Sequence, residues 1–286
     1  MPVRNMYNIV YGIVGIDEAA AYKMDNVFYE KNYRNDLYKY IEDDNAQMIE
    51  FTMNLVLSES VGNGVSDTVK DELVGLLKDG RSVLPRNISS VITYQGEEYQ
   101  LTDGQLSAVR SAYADQLGGL DDLFSKAGYK SLSGEDKERA VKYAYDLYYE
   151  SALSSALGIE KGNSALVSGV VGAENMALLC VATRGLESDK DEDGKTVSGS
   201  KRKKVISAIN SLGLSREKKL LLICAKGYSI QDGDIRGLSA ANAKRVLLRY
   251  ILSLKVSKDE KARLAVMCGF EVTKNGRIVT KSAFSA

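Results

Sequence analysis

The chain has 286 residues, enough for one large or two modest domains, and its 44% apolar content is ordinary for a globular protein. It has no histidine, which removes the usual general base, the usual partner of a nucleophilic serine or cysteine, and the commonest zinc ligand. The net charge is zero, yet residues 1–194 carry 18 Lys and Arg against 32 Asp and Glu, whereas residues 195–286 carry 20 against 6. This split predicts either two regions that attract each other or a basic region that meets an anionic partner.

The first part of the chain predicts helices. An amphipathic helix is expected from Pro2 to Val14, and Asp17 can cap the next one. No apolar run reaches the length of a membrane span, and the opening residues do not resemble a signal peptide. A tyrosine-rich pattern between Tyr22 and Ile41 indicates a half-buried helix face, with base stacking by the rings as the alternative.

Capped helices and one β-hairpin are predicted in the middle of the chain. Ser66, Thr102 and Ser133 each stand where an N-cap belongs, before an acidic first turn. The segment near residues 89–101 alternates in the manner of two strands around Gln95-Gly96, which predicts a hairpin that leans on helices. Residues 159–172 are punctuated by glycine, and an apolar helix is expected from about Val170 to Thr183.

The three cysteines, Cys180, Cys224 and Cys268, lie in apolar helical contexts. They are expected to be buried free thiols in a reducing compartment.

The acidic stretch from Asp189 to Gly194 matches the first half of a calcium loop. Asp189, Asp191 and Asp193 alternate and are followed by the glycine of the sharp turn. Ser200 stands where the bidentate glutamate of such a loop belongs, so ligands are missing. A solvated acidic linker is the favoured interpretation, and weak calcium binding is the alternative.

A run of four cations, Lys201, Arg202, Lys203 and Lys204, follows this linker. Four consecutive residues point to all sides of a helical turn, so some of these side chains must face solvent. They indicate a phosphate-contacting patch that is sensitive to salt and blind to sequence. A solvated helix start, or a partner for the neighbouring acids, is the alternative.

The basic region contains a repeated helical unit, read over residues 204–228 and again over 246–270. Each copy predicts a helix, a short turn, a second helix capped by Ser215 or Ser257, and a glycine followed by an aromatic residue. Such units pack on each other or on preceding helices. The alternative is a helix-turn-helix that reads DNA, with Lys244 and Arg245 as further candidate contacts.

The sequence therefore predicts an all-α protein with one small β-hairpin and C-terminal tandem helix-turn-helix-like repeats. Its predicted organisation is an acidic helical domain over residues 1–186, an acidic and Gly/Ser-containing linker over 187–200, and a basic repeat domain over 201–286.

Three blocks of the chain resemble known proteins. The first is Pro2 to Asn8 with the helix from Ala21 to Tyr40. The second runs from Ile92 through Leu101-Thr102 to Lys137, and the third from Asp191 to Lys204 and on through Ile209 to Leu212. Together they are similar to the helical region late in the very large virion-associated or polyvalent proteins of tailed bacteriophages and mobile elements.

The resemblance implies a non-enzymatic structural or interior virion protein, ejected with DNA and acting through contacts with other phage proteins or with itself. It implies a location in the virion or the host bacterial cytoplasm. Two alternatives are a DNA-binding or packaging accessory that uses the basic half, and the terminal interaction domain of a larger multi-enzyme phage protein. The resemblance carries no catalytic residue.

Overall fold

The computed structural model describes residues 65–86, 88–186 and 199–279. Within them the protein is mostly helical with short antiparallel strand pairs, which confirms the predicted fold class. The helices expected before residue 65 and the tyrosine-rich pattern lie outside the described residues. The chain forms two compact units, Met1–Glu160 and Lys161–Ala286. This division precedes the predicted linker, whose residues 187–198 are also outside the described part.

The first unit contains five helices and a hairpin in its described residues. Their bounds are α1 Asp67–Lys78, β1 Val91–Tyr94, β2 Glu97–Gln100, α2 Asp103–Leu117, α3 Leu120–Ser125, α4 Ala127–Lys130 and α5 Gly134–Leu157.

Hydroxyl side chains fix where the longer helices of this unit begin. Ser66, Thr102 and Ser133 each accept a hydrogen bond from the backbone N–H three residues ahead, as the sequence predicts. Thr102 forms a full capping box, because the Gln105 side chain accepts the Thr102 N–H in return. These bonds satisfy amides that the first turn of a helix leaves without a partner.

Tyrosines of α2 and α5 form much of the core of the first unit. The Tyr113 and Tyr149 rings meet edge to face, with centroids 6.2 Å apart. The buried Tyr145 hydroxyl donates to the Val83 carbonyl at 2.8 Å. Burial is also the main reason why the pKa of Tyr145 is well above its ordinary value. The Tyr113 and Tyr145 rings thus contribute apolar area while their hydroxyls have hydrogen-bond partners in the Arg86 N–H and the Val83 carbonyl.

The hairpin leans on the same unit through one face. Ile92 and Tyr94 are buried, whereas Val91 and Thr93 on the other face are exposed. The Tyr94 hydroxyl donates to the Glu160 carbonyl at 3.0 Å. Gln95 and Gly96 both have positive φ, which the tight two-residue turn between the strands requires.

The second unit has six helices and one short strand pair in its described residues. Their bounds are α6 Asn163–Val171, α7 Ala173–Ala182, α8 Gly199–Ser211, α9 Arg216–Ala225, α10 Ala240–Ser253, α11 Lys258–Met267, β3 Glu271–Val272 and β4 Ile278–Val279. The glycine-punctuated stretch before residue 172 is thus mostly helical, and the single apolar helix expected from Val170 begins only after a break at Gly172. The β3–β4 pair was not expected, because strands of two residues carry no alternating pattern.

Helix α9 lies at the centre of the second unit. It packs against α6, α8 and α10, and every residue from Leu220 to Cys224 is buried. A run buried on all sides of a helix needs neighbours around it, and the apolar α6 supplies one of them.

The two predicted repeat copies make the same local hydrogen bonds 42 residues apart. The Lys219 ammonium donates to the Asn210 carbonyl at 2.9 Å, and the Lys261 ammonium donates to the Leu252 carbonyl at 3.0 Å. Each copy also has its serine N-cap and a final glycine with φ of 77°. The repeat is an interpretation of the sequence, and these paired bonds support it.

Within the described residues, no single helix combines the length and the apolar composition needed to cross a membrane. Helices α6 and α7 reach that threshold only as a pair, with a 116° bend between them.

The glycine that ends α11 is expected to be needed for its backbone conformation. Gly269 has φ of 77°, and an added Cβ would meet nothing within 4 Å, so only backbone strain opposes a side chain. We expect Gly269→Ala to lower the free energy of unfolding by about 1 kcal/mol, measured by urea denaturation.

Gly213→Ala is the matched control, because Gly213 also has open space around its Cα but no positive φ. We expect it to be neutral or to raise stability by about 0.5 kcal/mol. Equal effects of the two substitutions would contradict the assignment of strain to Gly269.

Candidate nucleic-acid interface

The cationic run lies in the first two turns of α8, and its four side chains have two different environments. Lys201, Lys203 and Lys204 are exposed, and none has an ion pair among the residues that the structure describes. Arg202 is turned inward, with only 14% of its side chain exposed. Three of the four predicted contacts are therefore accessible to a partner, and the fourth is engaged within the protein.

The position of Arg202 follows from helical periodicity. Val205, Ile206 and Ile209 are the buried residues of α8, and they follow Arg202 by three, four and seven positions. Residues at these spacings share one face of a helix, so Arg202 belongs to the face that packs. Lys203 and Lys204 fall on the other side of the helix, where Ser207 is also exposed.

Arg202 makes a bidentate ion pair with the buried Asp234. The two N···O distances are 2.7 and 2.6 Å, and the Asp234 side chain is 4% exposed. The guanidinium also donates to the Ser229 carbonyl at 2.9 Å. Paired planar groups of this kind neutralise each other's charge and satisfy much of each other's hydrogen-bonding capacity, which makes their joint burial tolerable.

Asp234 also organises the loop between α9 and α10. Its carboxylate accepts the Gln231 N–H at 2.7 Å, and its carbonyl accepts the Asn210 side-chain amide at 2.9 Å. Two side chains of α8, Arg202 and Asn210, therefore fasten this loop. Neither is free to bind nucleic acid while these bonds are intact.

Helix α10 carries the other two predicted contacts. Lys244 and Arg245 are both exposed. The structure adds Arg249, which is exposed one turn beyond Arg245. Arg249 was missed in the sequence analysis. The available signal was that Arg249 follows Arg245 by four residues and so shares its face of the helix, away from the apolar Leu247 and Ile251.

The second helices of the two predicted repeat copies have much of their length engaged within the protein. Helix α9 is buried from Leu220 to Cys224. On α11, Lys261 bonds to a carbonyl of α10, and Arg263 donates to the Lys161 carbonyl at 2.7 Å. A recognition helix must present its side chains to DNA, so the geometry favours the first helices, α8 and α10.

The predicted calcium residues Asp189, Asp191 and Asp193 lie outside the described residues. Residues 65–86, 88–186 and 199–279 contain no group of three side chains able to hold a metal ion. Cys180, Cys224 and Cys268 form no disulfide with one another. Cys224 and Cys268 are buried, whereas Cys180 is half-buried. A hydrogen bond with Cys224, together with burial, raises the pKa of Cys268 well above that of an ordinary thiol.

The different environments of Arg202 and Lys203 predict different effects on stability. Arg202→Gln leaves the Asp234 carboxylate buried without its cation, so we expect the free energy of unfolding to fall by about 3 kcal/mol. Lys203→Gln removes the same charge from the next residue and should change stability by less than about 0.5 kcal/mol. Thermal and urea unfolding of the two variants would measure both values, and similar losses would contradict a structural role specific to Arg202.

No protein-family model matches the chain, and neither curated proteins nor solved structures give a significant match.

Proposed function

We propose that the second unit binds nucleic acid through the phosphate backbone, with Lys201, Lys203 and Lys204 as the principal contacts. The observation that supports this proposal is that all three ammonium groups are exposed on the first turns of one helix without an ion pair among the described residues. Lysines that neutralise phosphates release the counterions condensed on the polymer, and this release supplies most of non-specific binding.

The arrangement is unfavourable for the isolated helix. The N-terminal end of a helix carries a partial positive charge, so cations there lose about 0.3–1 kcal/mol relative to anions. Lys201 and Lys204 are also like charges three residues apart, which costs a few tenths of a kcal/mol more, roughly. A bound polyanion would offset both the interaction with the helix dipole and the repulsion between the lysines, because it places negative charge at the positive end of α8.

The proposed role is one of binding and requires no catalytic group. Phosphate contacts position a protein on nucleic acid without reading its sequence. The lysines of α8 therefore account for the affinity for nucleic acid and for its dependence on salt, but not for any preference between sequences.

Neutralising the three lysines together is expected to weaken binding to duplex DNA. In the variant Lys201→Gln/Lys203→Gln/Lys204→Gln, the slope of log K against log salt should fall by up to about 3, because each phosphate contact contributes about 0.9. Fluorescence anisotropy with a labelled 20-base-pair duplex, titrated over several salt concentrations, measures this slope.

The matched control removes three exposed lysines from the acidic first unit, as Lys78→Gln/Lys130→Gln/Lys142→Gln. Both triple variants change the net charge equally, so a general charge effect would weaken both alike. The proposal requires the loss to be confined to the α8 variant. Equal losses, or no binding by the unmodified protein at low salt, would refute it.

A second candidate is that the protein is carried inside a phage particle. Its support is the resemblance of three blocks to virion-associated proteins, the third of which includes the cationic start of α8. A protein packaged with DNA and ejected with it would be in continuous contact with phosphate, which suits exposed lysines. This role and the proposed backbone binding are compatible.

Mass spectrometry of purified phage particles tests the second candidate. We expect the chain at many copies per particle, at a fixed ratio to the major capsid protein. Particles washed at high salt provide the control for protein adsorbed on the outside. Absence of the chain from washed particles would remove the virion role and leave the DNA-binding proposal unaffected.

A further inference from the structure

Helix α10 presents a second exposed face whose residue types differ from those of α8. Asn242, Arg245, Arg249 and Leu252 follow one another at three, four and three residues, so they lie along one side of the helix. All four are exposed, and Leu252 has 50% of its surface in solvent. The opposite side, with Ala243, Leu247 and Ile251, is buried.

The polar side chains of this face have no partner within the described part of the protein. The hydrogen bond made by Asn242 uses its backbone N–H, which donates to the Ser239 hydroxyl and leaves the amide group available. Arg245 and Arg249 have neither an ion pair nor a side-chain hydrogen bond among the described residues. Two like charges four residues apart disfavour the isolated helix slightly, so an anionic partner would stabilise it.

The equivalent face of α8 differs in chemistry. The residues 42 positions earlier are Ser200, Lys203, Ser207 and Asn210. The Asn210 amide is already bonded to the Asp234 carbonyl, and the arginine of this helix, Arg202, is paired with the Asp234 carboxylate. This face of α8 therefore offers lysine and hydroxyl groups, which suit phosphate, whereas α10 offers an amide and two guanidinium groups that have no partner among the described residues.

Amide and guanidinium groups are the groups that read base edges in the major groove. Arginine donates two hydrogen bonds to guanine O6 and N7, and asparagine pairs with adenine N6 and N7. An exposed apolar side chain such as Leu252 suits the thymine methyl group. With 14 residues, α10 is about 21 Å long, and a major groove about 12 Å wide accepts a helix of this kind.

We propose that α10 is a base-reading helix, in which Asn242, Arg245 and Arg249 contact base edges in the major groove of DNA. The inference rests on the proposed nucleic-acid binding and adds sequence preference to it. Helix α8 supplies affinity through phosphates, and α10 supplies selection. The helix assigned this role is the first of its repeat copy, since the second, α11, has Lys261 and Arg263 engaged within the protein.

Selection from a pool of duplexes with a randomised 12-base-pair centre tests this proposal with the full chain. We expect the protein to enrich duplexes containing guanine at fixed positions and to bind them at least about tenfold more tightly than a scrambled duplex. The variant Arg245→Lys/Arg249→Lys keeps both charges but loses bidentate geometry. It should reduce the preference to within about twofold, because it weakens binding to the enriched duplexes more than binding to the scrambled duplex.

The α8 variant Lys201→Gln/Lys203→Gln/Lys204→Gln is the control. It should weaken binding to enriched and scrambled duplexes by the same factor and so leave the preference unchanged. Circular dichroism confirms that each variant is folded before binding is compared.

The outcomes separate the two proposals. Binding to duplexes with no enriched sequence, or a preference that survives Arg245→Lys/Arg249→Lys, overturns base reading by α10 and leaves backbone binding intact. Failure to bind any duplex at low salt overturns backbone binding, and base reading with it. Loss of the preference in the α8 variant Lys201→Gln/Lys203→Gln/Lys204→Gln would instead assign selection to α8.

Discussion

The burial of the run Leu220 to Cys224 in α9 is the constraint on which the second unit depends. Five consecutive apolar residues, Leu220 to Cys224, cannot be covered by a single neighbour, because consecutive residues of a helix point in all directions. Helices α6, α8 and α10 are held around them. Burying one leucine contributes about 1.5–3 kcal/mol, so this run is a large share of what stabilises the unit. The same burial removes this part of α9 from the surface, while α8 and α10 each have one side packed and one side exposed.

The positively charged residues at the start of α8 have two different roles. Arg202 serves the interior, where its planar guanidinium matches a carboxylate and a carbonyl at once. The lysines beside it stay in solvent, because an ammonium on a flexible stem loses more hydration on burial than a paired guanidinium does. The excess of basic residues in the C-terminal part is thus not uniform in its role, and only part of it is available to an anionic partner.

Much of the local structure follows from the sequence. Serine or threonine before an acidic turn predicts the starts of α1, α2, α5, α9 and α11, because the capping bond depends only on residues within one turn. Contacts between residues far apart in the chain do not follow from the sequence in this way. The pairing of Arg202 with Asp234 joins residues 32 positions apart through a loop whose path is set by tertiary packing. Helical periodicity places Arg202 on the buried face, but it does not identify the acid. The packing of α6 against α9 is likewise a tertiary contact, and the sequence of α6 does not identify its partner.

The bonds shared by the two repeat copies have a consequence for how this protein can change. Lys219 and Lys261 each close their own copy by bonding to the end of the preceding helix, and each second helix carries its own serine cap. The exposed faces of α8 and α10 take no part in these bonds. Substitutions on either exposed face would therefore leave the bonds of both predicted copies in place. The exposed residues of α10 could also be introduced at the equivalent positions of α8, with the turn that follows the helix left unchanged.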